Sequence, residues 1–337
     1  MFEVREIFRP EITEALYAAS GLVRPEGCQA VFGVWEGGEL LGCAGLKEDV
    51  LVGFAVSAQA QGQGLLGVLC TELIRRGLAQ GRDTFYIFTR PDKIRIFTDC
   101  GFQVVAARRS VCLLEWGARS ISAHCASLRA FVADKPEEAA CIVMNANPFS
   151  LGHLHLARKA AAENPWLHVL VLEEDKSVFP FEDRLRLARA CLADMPNVSV
   201  SAGGRYVISQ LTFPDYFLKS GEAEEAHADM DLLLFGQYVA PALKVSRRYV
   251  GEEPYCRVTA AYNARMREML PEYGIEVVLV PRKKWAQGFI SACTIRDLLG
   301  RDQAEGLEAL VPPATYEFLR SPRGRAIAAG LKKSGTL

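Results

Sequence analysis

Between residues 140 and 299 short apolar runs alternate with stretches whose apolar residues recur at helical spacing. No other feature limits the fold as strongly. The pattern predicts strands over 140–144, 167–172, 198–201, 231–235, 248–250 and 275–280. It predicts helices over 151–163, 181–194, 258–270 and 294–299. Strands alternating with helices join as βαβ units, which produce a parallel sheet with helices on both faces. Ligands bind such sheets outside the carboxyl ends of the strands, so the segments that leave those ends are the places to look for chemistry.

The first 115 residues follow a different grammar. Apolar runs at 30–35 and 40–46 flank Glu36-Gly37-Gly38-Glu39, a hairpin signal. Further strands are expected at 52–56, 84–89, 102–105 and 111–114. Leu65, Leu66, Leu69, Leu73, Ile74 and Leu78 fall at helical spacing over 65–78, and 94–99 reads as a short helix. A helix at 120–131 and the polar connector 132–138 place the boundary between a domain over 1–130 and one over 138–337. A length of 337 residues suits two domains, at about 150 residues for each.

Composition narrows the function classes. Thirty-nine Lys and Arg against forty Asp and Glu leave a net charge of −1, which excludes a globally basic nucleic-acid binder. The 50% hydrophobic content argues against disorder. No apolar run approaches the roughly 18 residues of a membrane span, and Met1 to Glu6 mixes both charge signs without a signal-peptide core. A cytoplasmic protein with neither membrane nor nucleic-acid partners is expected. The ten cysteines form no CxxC pair and there are five histidines, so no metal-ligating set is assigned. The thiols are expected to be reduced and mostly buried, acting as small hydrophobes.

Gln59-Ala60-Gln61-Gly62-Gln63-Gly64 lies between an expected strand and an amphipathic helix. Glycines allow close backbone approach, and the unpaired first N–H groups of the helix, with its dipole, make an anion site suited to a pyrophosphate. A tight turn without a ligand is the competing reading of these six residues. The segment resembles the Gln/Arg-x-x-Gly-x-Gly/Ala motif of GNAT acyltransferases, and Ile94-Arg95-Ile96-Phe97-Thr98-Asp99-Cys100-Gly101-Phe102 is similar to that family's later helix and strand entry. The resemblance implies that Gln59, Gln61, Gly62, Gln63 and Gly64 hold the pyrophosphate of coenzyme A or a similar carrier arm. No catalytic base is legible here, and Glu48, Asp49 and Glu115 read as surface charges.

A second glycine-bearing segment, Asn145-Ala146-Asn147-Pro148-Phe149-Ser150-Leu151-Gly152-His153, follows the strand at 140–144 and opens a helix. Ser150 is a good N-cap, Gly152 lets a ligand lie against the helix start, and His153 can donate a ring N–H to a phosphate oxygen. Taken alone, a first-turn histidine is more often structural. Ser150-x-Gly152-His153 resembles the (His/Thr)-x-Gly-His signature of the nucleotidyltransferase superfamily, with Ser in the usual His or Thr position. Ile290-Ser291-Ala292-Cys293-Thr294-Ile295-Arg296 is similar to its second signature, with Cys293 where a hydroxyl usually stands. The resemblance implies catalytic roles for Ser150, His153 and Arg296. It implies ATP contacts from Asn147, Pro148, Phe149, Gly152, Ser291 and Thr294. Lys176 and Arg184 read as phosphate contacts, or as solvated charges or a local ion pair with Glu173 or Asp183. Glu252 and Glu253 read as metal- or ribose-orienting groups or as a structural turn. Gly236 and Gln237, after the expected strand at 231–235, read as lining an adenosine pocket.

The stretch 145–153, the run 173–184, Phe213-Pro214-Asp215-Tyr216-Phe217-Leu218-Lys219 and Val250-Gly251-Glu252-Glu253-Pro254 together resemble the citrate (pro-3S)-lyase ligase family. That resemblance implies an α/β fold, a GNAT-like domain followed by a Rossmann-like nucleotidyltransferase domain with a parallel sheet. It implies ATP and Mg²⁺ as cofactors, with the metal held mainly by phosphates and water. It implies that acetate is activated as acetyl-AMP and passed to the prosthetic-group thiol of the citrate lyase acyl-carrier subunit, with release of AMP and pyrophosphate. An adenylyltransferase of the pantetheine-phosphate type would explain 150–153 but leave the first domain unused. An equivalent ligase for a related acyl-carrier lyase or decarboxylase, and a GNAT-derived coenzyme A sensor, are the other readings. Intact His153 and Arg296 argue against the sensor.

Overall fold

The computed structural model describes residues 2–173, 177–208, 213, 216–218, 222–254, 256–285, 288–301, 303 and 306–334. Two compact units emerge, Met1–His124 with Phe213–Met230, and Cys125–Thr212 with Asp231–Leu337. The stretch 213–230, which the sequence pattern leaves in the second domain, therefore packs with the first. Within the first unit Phe213 lies edge-on to Phe88 at 5.3 Å, and Val23 N–H donates to the Tyr216 carbonyl at 3.3 Å.

The first unit comprises β1 (Glu3–Glu6), α1 (Glu14–Ala19), β2 (Ala30–Glu36), β3 (Glu39–Lys47), β4 (Val50–Val56), α2 (Leu65–Ala79), β5 (Thr84–Thr89), α3 (Ile94–Thr98), β6 (Gln103–Ala107) and β7 (Cys112–Gly117). Its sheet order is β1-β2-β3-β4-β5-β7-β6. Every pair is antiparallel except β4 with β5, which α2 connects. The β2–β3 turn takes positive φ at both Gly37 and Gly38 (58° and 90°), the backbone that matches strand twist in a two-residue hairpin. Leu65, Leu69 and Leu73 of α2 are buried on the sheet. Gly77 allows the helix to approach closely, since a Cβ there would lie 2.2 Å from the Phe85 ring. This mixed sheet, with α2 as the crossover between its one parallel pair, is the α/β class expected for the first domain.

The second unit holds α4 (Ile121–Phe131) for most of its length, β8 (Ala139–Met144), α5 (Leu151–Glu163), β9 (Leu167–Val171), α6 (Phe181–Cys191) and β10 (Val198–Ala202). After α7 (Ala223–Leu234) and α8 (Ala240–Ala242) come β11 (Val245–Gly251), α9 (Arg257–Met269), β12 (Glu276–Val280), the short pair β13 (Lys284–Trp285) and β14 (Gly288–Phe289), α10 (Ala292–Gly300), α11 (Pro313–Arg320) and α12 (Pro322–Ser334). The main sheet is parallel throughout, in the order β10-β9-β8-β11-β12. The chain runs outward from β8 to β10 and then returns to the other side of β8, which creates a topological switch point between β8 and β11. β9 is wholly buried, the pattern of a strand covered on both faces. Leu154, Ala157 and Ala160 of α5 join Ala140, Ile142 and Val169 in the core, and the two alanines let α5 lie close to the sheet.

The expected strand at 231–235 is a helix: α7 passes through a π-helical turn at Phe235–Val239 into α8. Asp231-Leu232-Leu233-Leu234-Phe235 is apolar almost throughout, and a short apolar run does not separate a buried strand from a buried helix. No described helix is long and apolar enough to cross a membrane. All ten cysteines are free thiols, six of them buried, with Cys256 and Cys293 exposed.

Candidate active site

The chain leaves β8 at the switch point through 145–150, a loop held from beneath by Arg184. This fully buried side chain donates from Nη1 to the Asn145 carbonyl (2.8 Å), Asn145 Oδ1 (2.7 Å) and the Leu172 carbonyl (2.9 Å), and from Nε to the Phe179 carbonyl (2.9 Å). Asn147 Oδ1 accepts the Phe179 N–H at 3.0 Å. Ala146 sits at φ +53°, a conformation uncommon for a residue with a Cβ, and these bonds on both sides of it hold it there.

Ser150 then caps α5. Its hydroxyl accepts the His153 N–H at 3.3 Å and lies 2.9 Å from His153 Nδ1, and its own N–H donates to Nδ1 at 3.0 Å. This is a capping box with histidine in the place usually held by Glu or Gln. Because Nδ1 accepts a backbone N–H, the ring proton resides on Nε2. Burial, and secondarily the positive charge of Arg282, pull the His153 pKa down to about 4. At neutral pH His153 is therefore an uncharged imidazole with Nε2–H as its donor. The Leu151 N–H is taken by the Leu310 carbonyl at 2.9 Å. The Gly152 N–H has no partner among the described residues and remains available at the helix start.

The second signature forms a parallel device. Ser291 caps α10, accepting the Thr294 N–H at 3.0 Å, and its hydroxyl meets Thr294 Oγ1 at 2.8 Å. The Ala292 and Cys293 N–H groups have no partner among the described residues. Arg296 donates from Nη1 to the Asn147 carbonyl at 2.7 Å, across 149 positions of sequence, and from Nη2 to Cys293 Sγ at 3.1 Å. A Cβ on Gly152 would stand 3.1 Å from the Ile290 carbonyl. Two helix starts, an imidazole and a guanidinium thus share one edge of the parallel sheet.

Several sequence-derived assignments do not survive this geometry. Phe149 is 0% exposed and belongs to the core, backing His153 at 5.4 Å between rings, and Pro148 is buried beside it. Both side chains pack into the core and away from solvent. Ser150 is 2% exposed, with its hydroxyl turned to its own helix and against His153. Gly236 packs under Tyr273, where a Cβ would fall 2.5 Å from the ring. It lies near the end of the helix that leads into the amino end of β11, away from the carboxyl edge. Gln237 is exposed and bonds Tyr238 at 3.3 Å. Arg184 is a loop anchor, neither a phosphate contact nor a solvated charge. Glu253 pairs with Arg282. Glu115 is buried, and both its oxygens accept the Ile121 N–H at 3.1 Å, which caps α4. Lys176 lies outside the described residues.

In the first unit, Gly62 and Gly64 take φ of +80° and +78°, and a Cβ on either would meet nothing within 4 Å. Gly64 caps α2 without a side-chain bond. The Gly62, Leu65 and Leu66 N–H groups have no partner among the described residues, so this turn presents open donors. Gln59 donates to Glu39 at 2.7 Å and Gln63 to the Gln59 carbonyl at 3.0 Å, which shapes the turn; Gln61 is exposed.

Residues 139–319 match the family described as citrate lyase ligase C-terminal domain. The Escherichia coli K12 citrate (pro-3S)-lyase ligase is 38% identical over 84% of this chain and 82% of its own length. The Klebsiella pneumoniae protein of the same name is 37% identical over 83% of each chain. The chain belongs to the citrate lyase ligase family. The Haemophilus influenzae ligase extends the likeness, at 33% identity over 86% of this chain and 88% of its own. Among solved structures, the ribosomal-protein-S18-alanine N-acetyltransferase of Escherichia coli overlaps 35% of this chain and 94% of its own, at 16% identity and a TM-score of 0.30. For this member of the ligase family, what sequence reasoning missed is the packing that builds the site from behind. Arg184 was named from the sequence, but its burial as a loop anchor depends on loops that close from β8 and β9.

Proposed function

We propose that the chain activates acetate with ATP as acetyl-AMP, releasing pyrophosphate, and passes the acetyl group to the prosthetic-group thiol of the citrate lyase acyl-carrier subunit. The observation that carries this reading is the meeting of the Gly152–His153 and Ser291–Arg296 helix starts at the switch point, within a chain of this family. Acetate oxygen attacks the α-phosphorus and the bond from that phosphorus to the bridging oxygen breaks, so pyrophosphate leaves. A carrier thiolate, its proton lost to solvent, then attacks the acyl carbon and AMP departs.

His153 Nε2–H donates to a non-bridging α-phosphate oxygen, where negative charge builds at five-coordinate phosphorus. Its neutrality keeps the proton in place, and Ser150 fixes the ring that carries it. Arg296, held by the Asn147 carbonyl, offers its remaining N–H groups to the polyphosphate, and the open N–H groups of Gly152, Ala292 and Cys293 add backbone donors. Ser291 and Thr294 contribute through the turn they cap. The donor set is cationic and N–H-rich, which fits a polyphosphate; magnesium bound to that polyphosphate would neutralise part of its charge. In the first unit, Gln59, Gln61, Gly62, Gln63 and Gly64 hold the pyrophosphate of the carrier arm.

Acetate-dependent exchange of labelled pyrophosphate into ATP tests this reading. Exchange that requires acetate supports it. Exchange that ignores acetate, or needs a phosphopantetheine acceptor instead, refutes it.

A further inference from the structure

The carboxyl end of β12 carries Pro281-Arg282-Lys283-Lys284. β12 pairs with β11 through Gly251 and Val280, so this run emerges beside Glu252 and Glu253. Arg282 Nε donates to the Glu252 carbonyl at 2.7 Å, and Nη2 is ion-paired with Glu253 Oε2. Glu253 is in turn tied down, since its Oε1 accepts the Cys256 N–H at 3.1 Å. The Arg282 side chain is 22% exposed and that of Glu253 8%. A long cation that ordinarily waves in water is here gripped at two of its three nitrogens.

The backbone beside this grip leads to the site. The Lys283 carbonyl accepts the Ile290 N–H at 3.0 Å, and the Ile290 carbonyl is the group that a Cβ on Gly152 would meet. A short chain of contacts thus runs from Arg282 through Ile290 to the start of α5, and the Arg282 charge reaches His153. Nη1 makes no hydrogen bond or ion pair with any described residue. Its two hydrogens are the part of the fork left over once Glu252 and Glu253 have set its plane.

A buried ion pair costs desolvation and is poor evidence for stability. An arginine fixed in a partly dry site with one nitrogen unused is suited to a phosphate oxygen, because most of the side-chain entropy has already been lost. We propose that Arg282 is a substrate-binding residue that contacts the β- and γ-phosphates of ATP, with Glu253 as its positioning residue. Arg296 serves the same polyphosphate from α10. The proposal rests on the adenylation reading above and adds a residue that lies in neither of the two signatures.

The test compares binding of ATP and AMP, without acetate, to the full-length protein by calorimetry. AMP shares the adenosine and α-phosphate but lacks the groups assigned to Arg282. Arg282→Ala should weaken ATP about 10–100-fold, the scale of one charge-assisted hydrogen bond, and change AMP less than about 2-fold on that scale. Arg282→Lys should recover part of the ATP loss by restoring a point charge. Glu253→Gln should raise the KM for ATP by a smaller factor and leave kcat near that of the wild type. Equal losses for ATP and AMP in Arg282→Ala make Arg282 structural and overturn the proposal while the adenylation reading stands. Unchanged ATP binding also overturns it. A wild-type protein that binds neither nucleotide overturns the adenylation reading and the proposal together. If Arg282→Ala melts before it can be titrated, Arg282→Lys decides: ATP and AMP binding both unchanged, or both equally weakened, refute the assignment.

Discussion

Replacing His153 separates a ligand-facing histidine from a structural one. In His153→Ala the Ser150 N–H loses its acceptor, worth about 1 kcal/mol net, and the ring contact with Phe149 disappears, worth about 1 kcal/mol. A loss on the order of 2 kcal/mol leaves a domain of ordinary stability folded. The catalytic cost is separate: removing one preorganised donor slows the step about 10²–10³-fold. His153→Asn keeps an acceptor and an N–H and should fall between the two. The charge state supplies a second reading. The folded pKa of about 4 lies below the unfolded value, which is roughly 6.5. Between those values the unfolded chain binds more protons, so stability is lost as pH falls through that window, by on the order of 3 kcal/mol. His168, buried and also near pKa 4, adds its own share, so the difference between wild type and His153→Asn isolates His153. The assays are acetate-dependent pyrophosphate exchange and thermal melts from pH 4 to 8. A folded His153→Ala with wild-type exchange would refute the phosphate role. A wild-type activity profile that breaks near pH 6.5, with the break absent in His153→Asn, would refute the neutral donor.

Gly64→Val should spare pyrophosphate exchange and depress transfer to the carrier thiol, since φ of +78° disfavours a β-branched residue and the turn faces open space; equal loss of both activities in a folded protein would tie the first unit to adenylation. Gly152→Ala should raise the KM for ATP by pressing α5 away from the Ile290 carbonyl, which stands 3.1 Å from the built Cβ, and an unchanged KM would show that the two helix starts need not be so close. Gly236→Ala should lower the melting temperature, through an overpacking cost of about 1–3 kcal/mol, without altering ATP affinity; a selective loss of ATP binding would restore the adenosine-pocket assignment. Arg184→Met should destabilise by about 3 kcal/mol or more, because buried carbonyls lose their donors, and a wild-type melting curve would show that the loop holds itself.

Local pattern alone determined many of the strands and helices and the two signature loops. Apolar runs and helical spacing are short-range properties, so α2, α5 and β5 follow the sequence closely, and Ser150 was a legible N-cap because a cap needs only its own helix. The hairpin at Gly37-Gly38 was equally local. Tertiary structure decided which of the signature residues face outward. The spacing Ser150-x-Gly152-His153 does not reveal that the hydroxyl turns back to the imidazole, nor that Phe149 lies behind it in the core. Arg296 reaches Asn147 only because β8 and α10 come to the same sheet edge. The helix over 231–235 and the packing of 213–230 with the first unit were likewise hidden. Both depend on burial against distant partners, and a one-dimensional pattern of apolar residues records how strongly a segment seeks burial but not what it is buried against.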